Sequence, residues 1–269
     1  MNITAKTKIN MVIGDPVEHS LSPQMHNAGY KALQIDDQFV YVACLVDVNN
    51  IEDFINGIRA MNIQGVSCTI PHKLAVIPYI DEIDKIAKKI GAVNTIVNDN
   101  DKLIGYNTDW IGIIEPLKKI TSLKGKRIAL LGAGGAARAA AFAVTNENAH
   151  LHIFNRTVEN AKKIAEDFGG KASPLDMYEE IKSCDIIINT TAIGLTDKTA
   201  TPLPKEYITN KHIVFDAVYG HETQLLRDAK EQGAQIIDGT EMLLLQGMAQ
   251  FKLFTGYDAP EETMREVLK

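Results

Sequence analysis

Ile128-Ala129-Leu130-Leu131-Gly132-Ala133-Gly134-Gly135-Ala136-Ala137 runs from four apolar residues straight into a glycine cluster and then into an alanine-rich segment of helical composition. The run satisfies Gly-x-Gly-x-x-Ala in a strand, turn, helix context. Gly132 permits the tight turn, Gly134 lets the backbone approach a pyrophosphate with no Cβ in the way, and Ala137 lets helix and strand pack closely. The helix N-terminus then offers N–H groups and partial positive charge to phosphates. A glycine cluster alone only turns the chain, so the next strand has to decide. Leu151 to Phe154 ends in Asn155-Arg156-Thr157, which begins 23 residues past Gly132. An enzyme selecting NAD places Asp or Glu there for the ribose 2′-hydroxyl, whereas a guanidinium suits a 2′-phosphate. The expected cofactor is NADP, held by Gly132, Ala133, Gly134, Gly135, Ala136, Asn155, Arg156 and Thr157.

On both sides of this motif, short apolar runs bounded by glycine or asparagine alternate with longer segments of helical period, the sequence form of parallel βα units. Strands are expected at Ile9–Ile13, Phe39–Leu45, Gly65–Ile70, Asn94–Asn98, Ile128–Leu131, Leu151–Phe154, Asp185–Asn189, Ile213–Ala217 and Gln235–Ile237. The class is α/β. A helix-like stretch, Trp110 to Ile120, and a charged connector up to Arg127 separate the fourth strand from the fifth, where a domain boundary would fall. After Gly239 the chain turns helical from Glu241 to Thr255, with Leu244, Met248 and Phe251 at helical spacing.

Composition narrows the function classes. With 269 residues, 45% hydrophobic and 23% charged, the chain is an ordinary globular protein large enough for two domains. A net charge of −6 repels phosphate backbones and anionic membrane surfaces, so neither nucleic acid nor a membrane is expected as partner. The basic connector Lys118, Lys119, Lys124, Lys126 and Arg127 reads as a solvated face. Cys44, Cys68 and Cys184 are widely spaced, no His-Glu-x-x-His occurs, and no metal is expected. The apolar run Met11-Val12-Ile13 is far too short for a signal-peptide core, and the expected location is the cytoplasm.

The first hundred residues must supply the chemistry, because a dinucleotide fold does not name a substrate. Ser20 and Ser22 in Ser20-Leu21-Ser22-Pro23 present hydroxyls suited to a carboxylate, although this pattern alone is more often a helix cap. Thr69 and Lys73 lie in Ser67-Cys68-Thr69-Ile70-Pro71-His72-Lys73; taken alone, the lysine is an ordinary surface residue. Gly91-Ala92-Val93-Asn94-Thr95 and Gly105-Tyr106-Asn107-Thr108-Asp109 add an amide and a carboxylate, each also consistent with a turn.

Together these clusters resemble the shikimate dehydrogenase family over nearly the whole chain. Seven pieces recur in unbroken order: Ser-Leu-Ser-Pro, Thr-Ile-Pro-His-Lys, Gly-Ala-Val-Asn-Thr, Tyr-Asn-Thr-Asp, Gly-Ala-Gly-Gly-Ala, Asn-Arg-Thr, and Gly-Thr-Glu-Met-Leu with Gln246 beyond it. The resemblance implies NADPH-dependent reduction of 3-dehydroshikimate to shikimate in aromatic amino-acid biosynthesis, by a monomer or homodimer. It implies an N-terminal α/β substrate domain, 1–105, completed by a returning C-terminal helix within 241–269, and a Rossmann-type NADP-binding domain, 106–240. Ser20 and Ser22 would hold the substrate carboxylate with Tyr219 assisting; Thr69, Lys73, Asn94, Asp109 and Gln246 would hold ring hydroxyls and the reacting carbonyl; Ala217 and Gly239 would line the nicotinamide. Lys73 would donate the proton to the developing alkoxide, and Asp109 would either orient Lys73 and a substrate hydroxyl or share the proton as a coupled pair.

Two departures keep other readings open. Ser67 stands where the family usually has asparagine, and Tyr219-Gly220-His221-Glu222-Thr223 lacks the usual proline and is one residue short. A quinate or quinate/shikimate dehydrogenase, an aminoshikimate dehydrogenase and a non-catalytic NADP-sensing protein are the alternatives, the last opposed by retention of Lys73 and Asp109.

Overall fold

The computed structural model describes residues 3–269, which divide into two compact units: one up to Thr108 together with Leu244–Lys269, the other Asp109–Leu243. The family resemblance implies these seams at 105/106 and 240/241, within a few residues of those observed.

The first unit begins β1 (Lys8–Gly14), α1 (Ser22–Ala32), β2 (Phe39–Leu45), α2 (Ile51–Ala60), β3 (Gly65–Cys68), α3 (His72–Ala75), β4 (Glu82–Ile83), α4 (Lys85–Ile90), β5 (Thr95–Asp99) and β6 (Lys102–Tyr106). Its sheet runs β2-β1-β3-β5-β6-β4. β1 pairs in parallel with β2 and β3, but β5 is antiparallel to both β3 and β6. The sheet is therefore mixed, within the expected α/β class. The cause is a hairpin: Asn100 and Asp101 adopt φ of +51° and +69°, the left-handed pair that a tight two-residue loop requires, and Asn98 Oδ1 accepts from Asp101 N at 2.9 Å. β3 also ends at Cys68, so Thr69 and Ile70 leave the strand and form the loop into α3.

The second unit holds α5 (Asp109–Ile120), β7 (Arg127–Leu131), α6 (Gly135–Asn146), β8 (His150–Asn155), α7 (Val158–Phe168), β9 (Lys171–Pro174), α8 (Tyr178–Lys182), β10 (Ile186–Asn189), β11 (Ile213–Asp216), α9 (Gln224–Glu231) and β12 (Gln235–Ile237). Its parallel sheet is ordered β12-β11-β10-β7-β8-β9. Counted from β7, this is the doubly wound order, which reverses between β7 and β10 and opens a ligand crevice at the carboxyl ends of those strands. Ile128 to Leu131 and Ile186 to Ile188 are fully buried, as strands covered on both faces must be. The last helices, α10 (Gly239–Thr255) and α11 (Glu261–Glu266), follow β12, and the seam between the units falls inside α10.

The C-terminal half of α10 closes an aromatic core in the first unit. His26, completely buried, stacks on Tyr41 at 4.2 Å and on Phe251 at 6.0 Å, and Tyr30 lies 5.1 Å from Phe251. Burying an apolar ring such as Phe251 contributes about 1.5–3 kcal/mol. Neither ring nitrogen of His26 has a hydrogen-bond partner among the described residues, and burial lowers its pKa from 6.5 to about 3. Between those values the unfolded chain binds a proton that the native chain refuses, so stability falls as pH drops below 6.5. At pH 5 the loss from this residue is about 2 kcal/mol. His26→Phe is expected to remove that part of the pH dependence, read as the difference between urea midpoints at neutral and mildly acid pH. Any packing cost of the larger ring is the same at both pH values. An identical pH dependence in the two proteins would contradict the assignment.

Candidate active site

In the second unit the glycine turn follows β7 directly. Gly132 adopts φ +107°, its N–H donates to Phe154 O at 2.8 Å, and a Cβ there would lie 2.8 Å from Thr190 Oγ1. Only glycine meets both demands. Gly134 is exposed, with nothing within 4 Å of where its Cβ would be, and it precedes the first turn of α6 without a side-chain cap. The turn thus faces a space that a pyrophosphate can enter, with helix N–H groups behind it. Ala137, Ala139 and Ala140 are fully buried, so α6 lies close against the sheet. Ala133 and Ala136 are half-buried beside them.

At the end of β8, Asn155 Nδ2 donates to Thr157 O at 2.8 Å, and Arg156 is exposed. Thr157 precedes α7 without capping it. Ala217 follows β11, its N–H donating to Asn189 O at 2.9 Å. A Cβ on Gly239 would lie 2.7 Å from Ala217 O, so these two backbone positions are brought together and position 239 admits no side chain. The loop carrying half-buried Tyr219 is tied at its base. Asp216 accepts from Asn189 Nδ2 at 2.9 Å, Val218 N at 3.1 Å and Thr223 Oγ1 at 2.6 Å, and Thr223 also caps α9. Burial pushes the Asp216 carboxyl above the usual carboxylate range, and these three donors oppose that. His221 Nε2 donates to Gly194 O at 2.9 Å, a tie across the shortened segment.

The first unit assembles a second set. Ser22 opens α1 and is buried; Leu21, not serine, stands at the N-cap, and the cap position makes no side-chain bond. Ser20 Oγ accepts only a long 3.4 Å bond from Ser22 N, so the helix-cap reading of this pair does not describe it. Thr69 is half-buried in the loop after β3, its N–H donating to Ile13 O at 2.9 Å. Lys73, half-buried on α3, accepts at its carbonyl from Val93 N at 2.8 Å, which ties it to the segment carrying Asn94. Asn94 is buried: its Oδ1 accepts from Thr108 N at 2.8 Å and Thr95 Oγ1 at 2.7 Å, and its Nδ2 donates to Thr108 Oγ1 at 2.9 Å and Gln246 Oε1 at 3.4 Å. Asp109 follows Thr108 along the chain as the first residue of α5 and is itself buried.

Three family models match in chain order: the shikimate dehydrogenase substrate binding domain over residues 12–96, shikimate / quinate 5-dehydrogenase over 115–196, and the shikimate 5′-dehydrogenase C-terminal domain over 239–269. The shikimate dehydrogenase (NADP(+)) of Methanosphaera stadtmanae is 44% identical over 99% of this chain and 98% of its own. The chain belongs to the shikimate dehydrogenase family. Among solved structures, a shikimate dehydrogenase in complex with NADP+ is 42% identical with a TM-score of 0.90, covering 99% of this chain and 96% of that one. The Thermus thermophilus shikimate 5-dehydrogenase in complex with NADP(H) and shikimate is 36% identical with a TM-score of 0.89, covering 97% and 98%.

For a member of the shikimate dehydrogenase family, the position of Ser67 is informative. Its hydroxyl accepts from Tyr41 Oη at 2.7 Å and donates to Gln250 Oε1 at 2.9 Å, all three groups being buried. Ser67 thus finds both a donor and an acceptor within the protein. Sequence reading missed Gln250, Tyr41, Thr95, Thr108 and Asp216 as parts of the site's framework. Gln250 lies one helical turn past Gln246, a spacing that places both amides on one face, and that was the available signal. No helix among the described residues is long and apolar enough to cross a membrane, and none of their His, Cys, Asp and Glu side chains cluster in threes that could hold a metal.

Proposed function

We propose that the chain is an NADP-dependent shikimate dehydrogenase, reversibly reducing 3-dehydroshikimate to shikimate in the cytoplasm as a monomer or homodimer. The first unit is its substrate domain and the second its NADP domain. The observation that carries this reading is the buried Asn94–Thr108–Gln246 cluster tied through Val93 to Lys73, in a chain whose other unit has the doubly wound order and the Gly132–Gly135 turn.

The residues present fit the cofactor: Gly132, Ala133, Gly134, Gly135 and Ala136 take the pyrophosphate, Asn155, Arg156 and Thr157 the adenosine 2′-phosphate, and Ala217 and Gly239 the nicotinamide side. When bound, NADPH supplies the hydride to the ring carbonyl carbon. Ser20 and Ser22 hold the substrate carboxylate, with Tyr219 assisting. Thr69, Asn94, Asp109 and Gln246 hold ring hydroxyls. Lys73 gives its proton to the carbonyl oxygen as that oxygen gains charge, and recovers it in the reverse direction. Hydrogen bonds formed to hydroxyls in a buried site set the specificity, because an analogue lacking one leaves a buried partner unsatisfied.

The test is the initial rate of NADP reduction with shikimate, run beside quinate and beside NAD. Turnover of shikimate with NADP, and little with quinate or NAD, is expected. A preference for quinate would move the assignment within the family, and NADP binding without turnover of either acid would point to a sensor.

A further inference from the structure

The first unit contains a hydrogen-bonded chain in which every donor is assigned. Tyr41 Oη donates to Ser67 Oγ at 2.7 Å, Ser67 Oγ to Gln250 Oε1 at 2.9 Å, Gln250 Nε2 to Thr95 Oγ1 at 2.9 Å, and Thr95 Oγ1 to Asn94 Oδ1 at 2.7 Å. Gln250 Nε2 also lies 3.3 Å from Asn94 O. All five side chains are at least nine-tenths buried. The direction of the chain is fixed at its far end. The backbone N–H of Thr108 can only donate, so the Asn94 atom it meets at 2.8 Å is the oxygen. With that oxygen in place, Thr95 donates to it, Gln250 presents its amino group to Thr95, and Ser67 turns its single proton to Gln250.

We propose that Ser67 and Gln250 are a positioning pair that locks the Asn94 amide, and through it the Gln246 amide, in the orientation that recognises a ring hydroxyl of the substrate. The inference rests on the proposed function, in which Asn94 and Gln246 meet the substrate. Ser67 then donates no hydrogen bond to the substrate: its one proton is committed to Gln250. Gln250 brings from α10 the amide that β3 lacks, and it must both accept and donate. A primary amide does both at fixed ends, which neither a carboxylate nor a thioether can do.

That requirement separates positioning from packing. Gln250→Glu keeps shape and the acceptor toward Ser67 but replaces the donor toward Thr95, so Thr95 turns its proton to the new carboxylate and Asn94 Oδ1 loses it. Gln250→Met keeps volume and leaves Thr95 able to donate to Asn94. In the full-length enzyme, Gln250→Glu is expected to raise the KM for shikimate about tenfold and Gln250→Met about threefold, with kcat within about twofold and the NADP Kd unchanged in both. A cooperative thermal unfolding transition and a native circular dichroism spectrum report that each variant is folded. Equal KM effects in the two variants, or none in either, would overturn the pair as a positioning device. Asn94→Ala is the control for the underlying reading. If it raises KM strongly while Gln250→Glu does not, the inference alone fails; if it leaves KM unchanged, the substrate role of Asn94 fails and takes the inference with it.

Discussion

Lys73→Ala is expected to lower the turnover of shikimate by about 10²-fold or more while leaving NADP affinity nearly intact. A positioned proton donor contributes about 10²–10⁴-fold to such a step, or about 3–5 kcal/mol of barrier. The fold makes the test a clean one. The backbone bond from Val93 N to Lys73 O survives the substitution, so α3 keeps its tie to the segment carrying Asn94. The glycine turn and Arg156 belong to the other unit, so none of the bonds described around them involves Lys73. Single-turnover rates and a fluorescence titration with NADPH separate the two quantities. Unchanged turnover would remove Lys73 from the mechanism.

Arg156→Ala is expected to weaken NADP by about 10- to 10²-fold and NAD hardly at all. Hydrogen bonds to a charged group are each worth about 1.5–3 kcal/mol, and NAD carries no 2′-phosphate to receive them. Arg156 is exposed immediately beyond β8, so its removal leaves no cavity and no buried group unpaired. The measurement is the pair of dissociation constants at one ionic strength, since an exposed charge is screened by salt. Equal weakening of both nucleotides would refute the 2′-phosphate assignment.

The dinucleotide half was legible because its physics is local. A buried parallel strand reads as an apolar run, and Gly132 and Gly134 are dictated by backbone geometry within a few residues. The nine expected strands are all present, with ends shifted by a residue or two. β4, β6 and β9 were not visible: Glu82–Ile83 is only two residues long, Lys102–Tyr106 is reached through a hairpin that depends on the positive φ of Asn100 and Asp101, and Lys171–Pro174 has no apolar run at all. The substrate half was legible as motifs rather than as geometry. Ser67 read as a departure because its neighbours in sequence say nothing of Gln250, which lies 183 residues further along the chain. The framework around Asn94 is likewise made of partners that only the tertiary fold brings together.

The seam inside α10 bears on the order in which the molecule is made. The first unit needs Leu244–Lys269, whereas the second is complete at Leu243. On a ribosome, the segment up to Thr108 emerges first yet lacks Phe251, Phe254 and Met264, which are buried in the finished unit. A Cβ on Gly29 would meet the ring of Phe251 at 2.7 Å, so α1 is shaped for a helix that has not yet been synthesised. The half that carries Lys73 and Asn94 therefore waits, with its aromatic face uncovered, while the nucleotide half, begun later, has every residue it needs. The oldest part of the nascent chain cannot be a finished domain until the newest has been made.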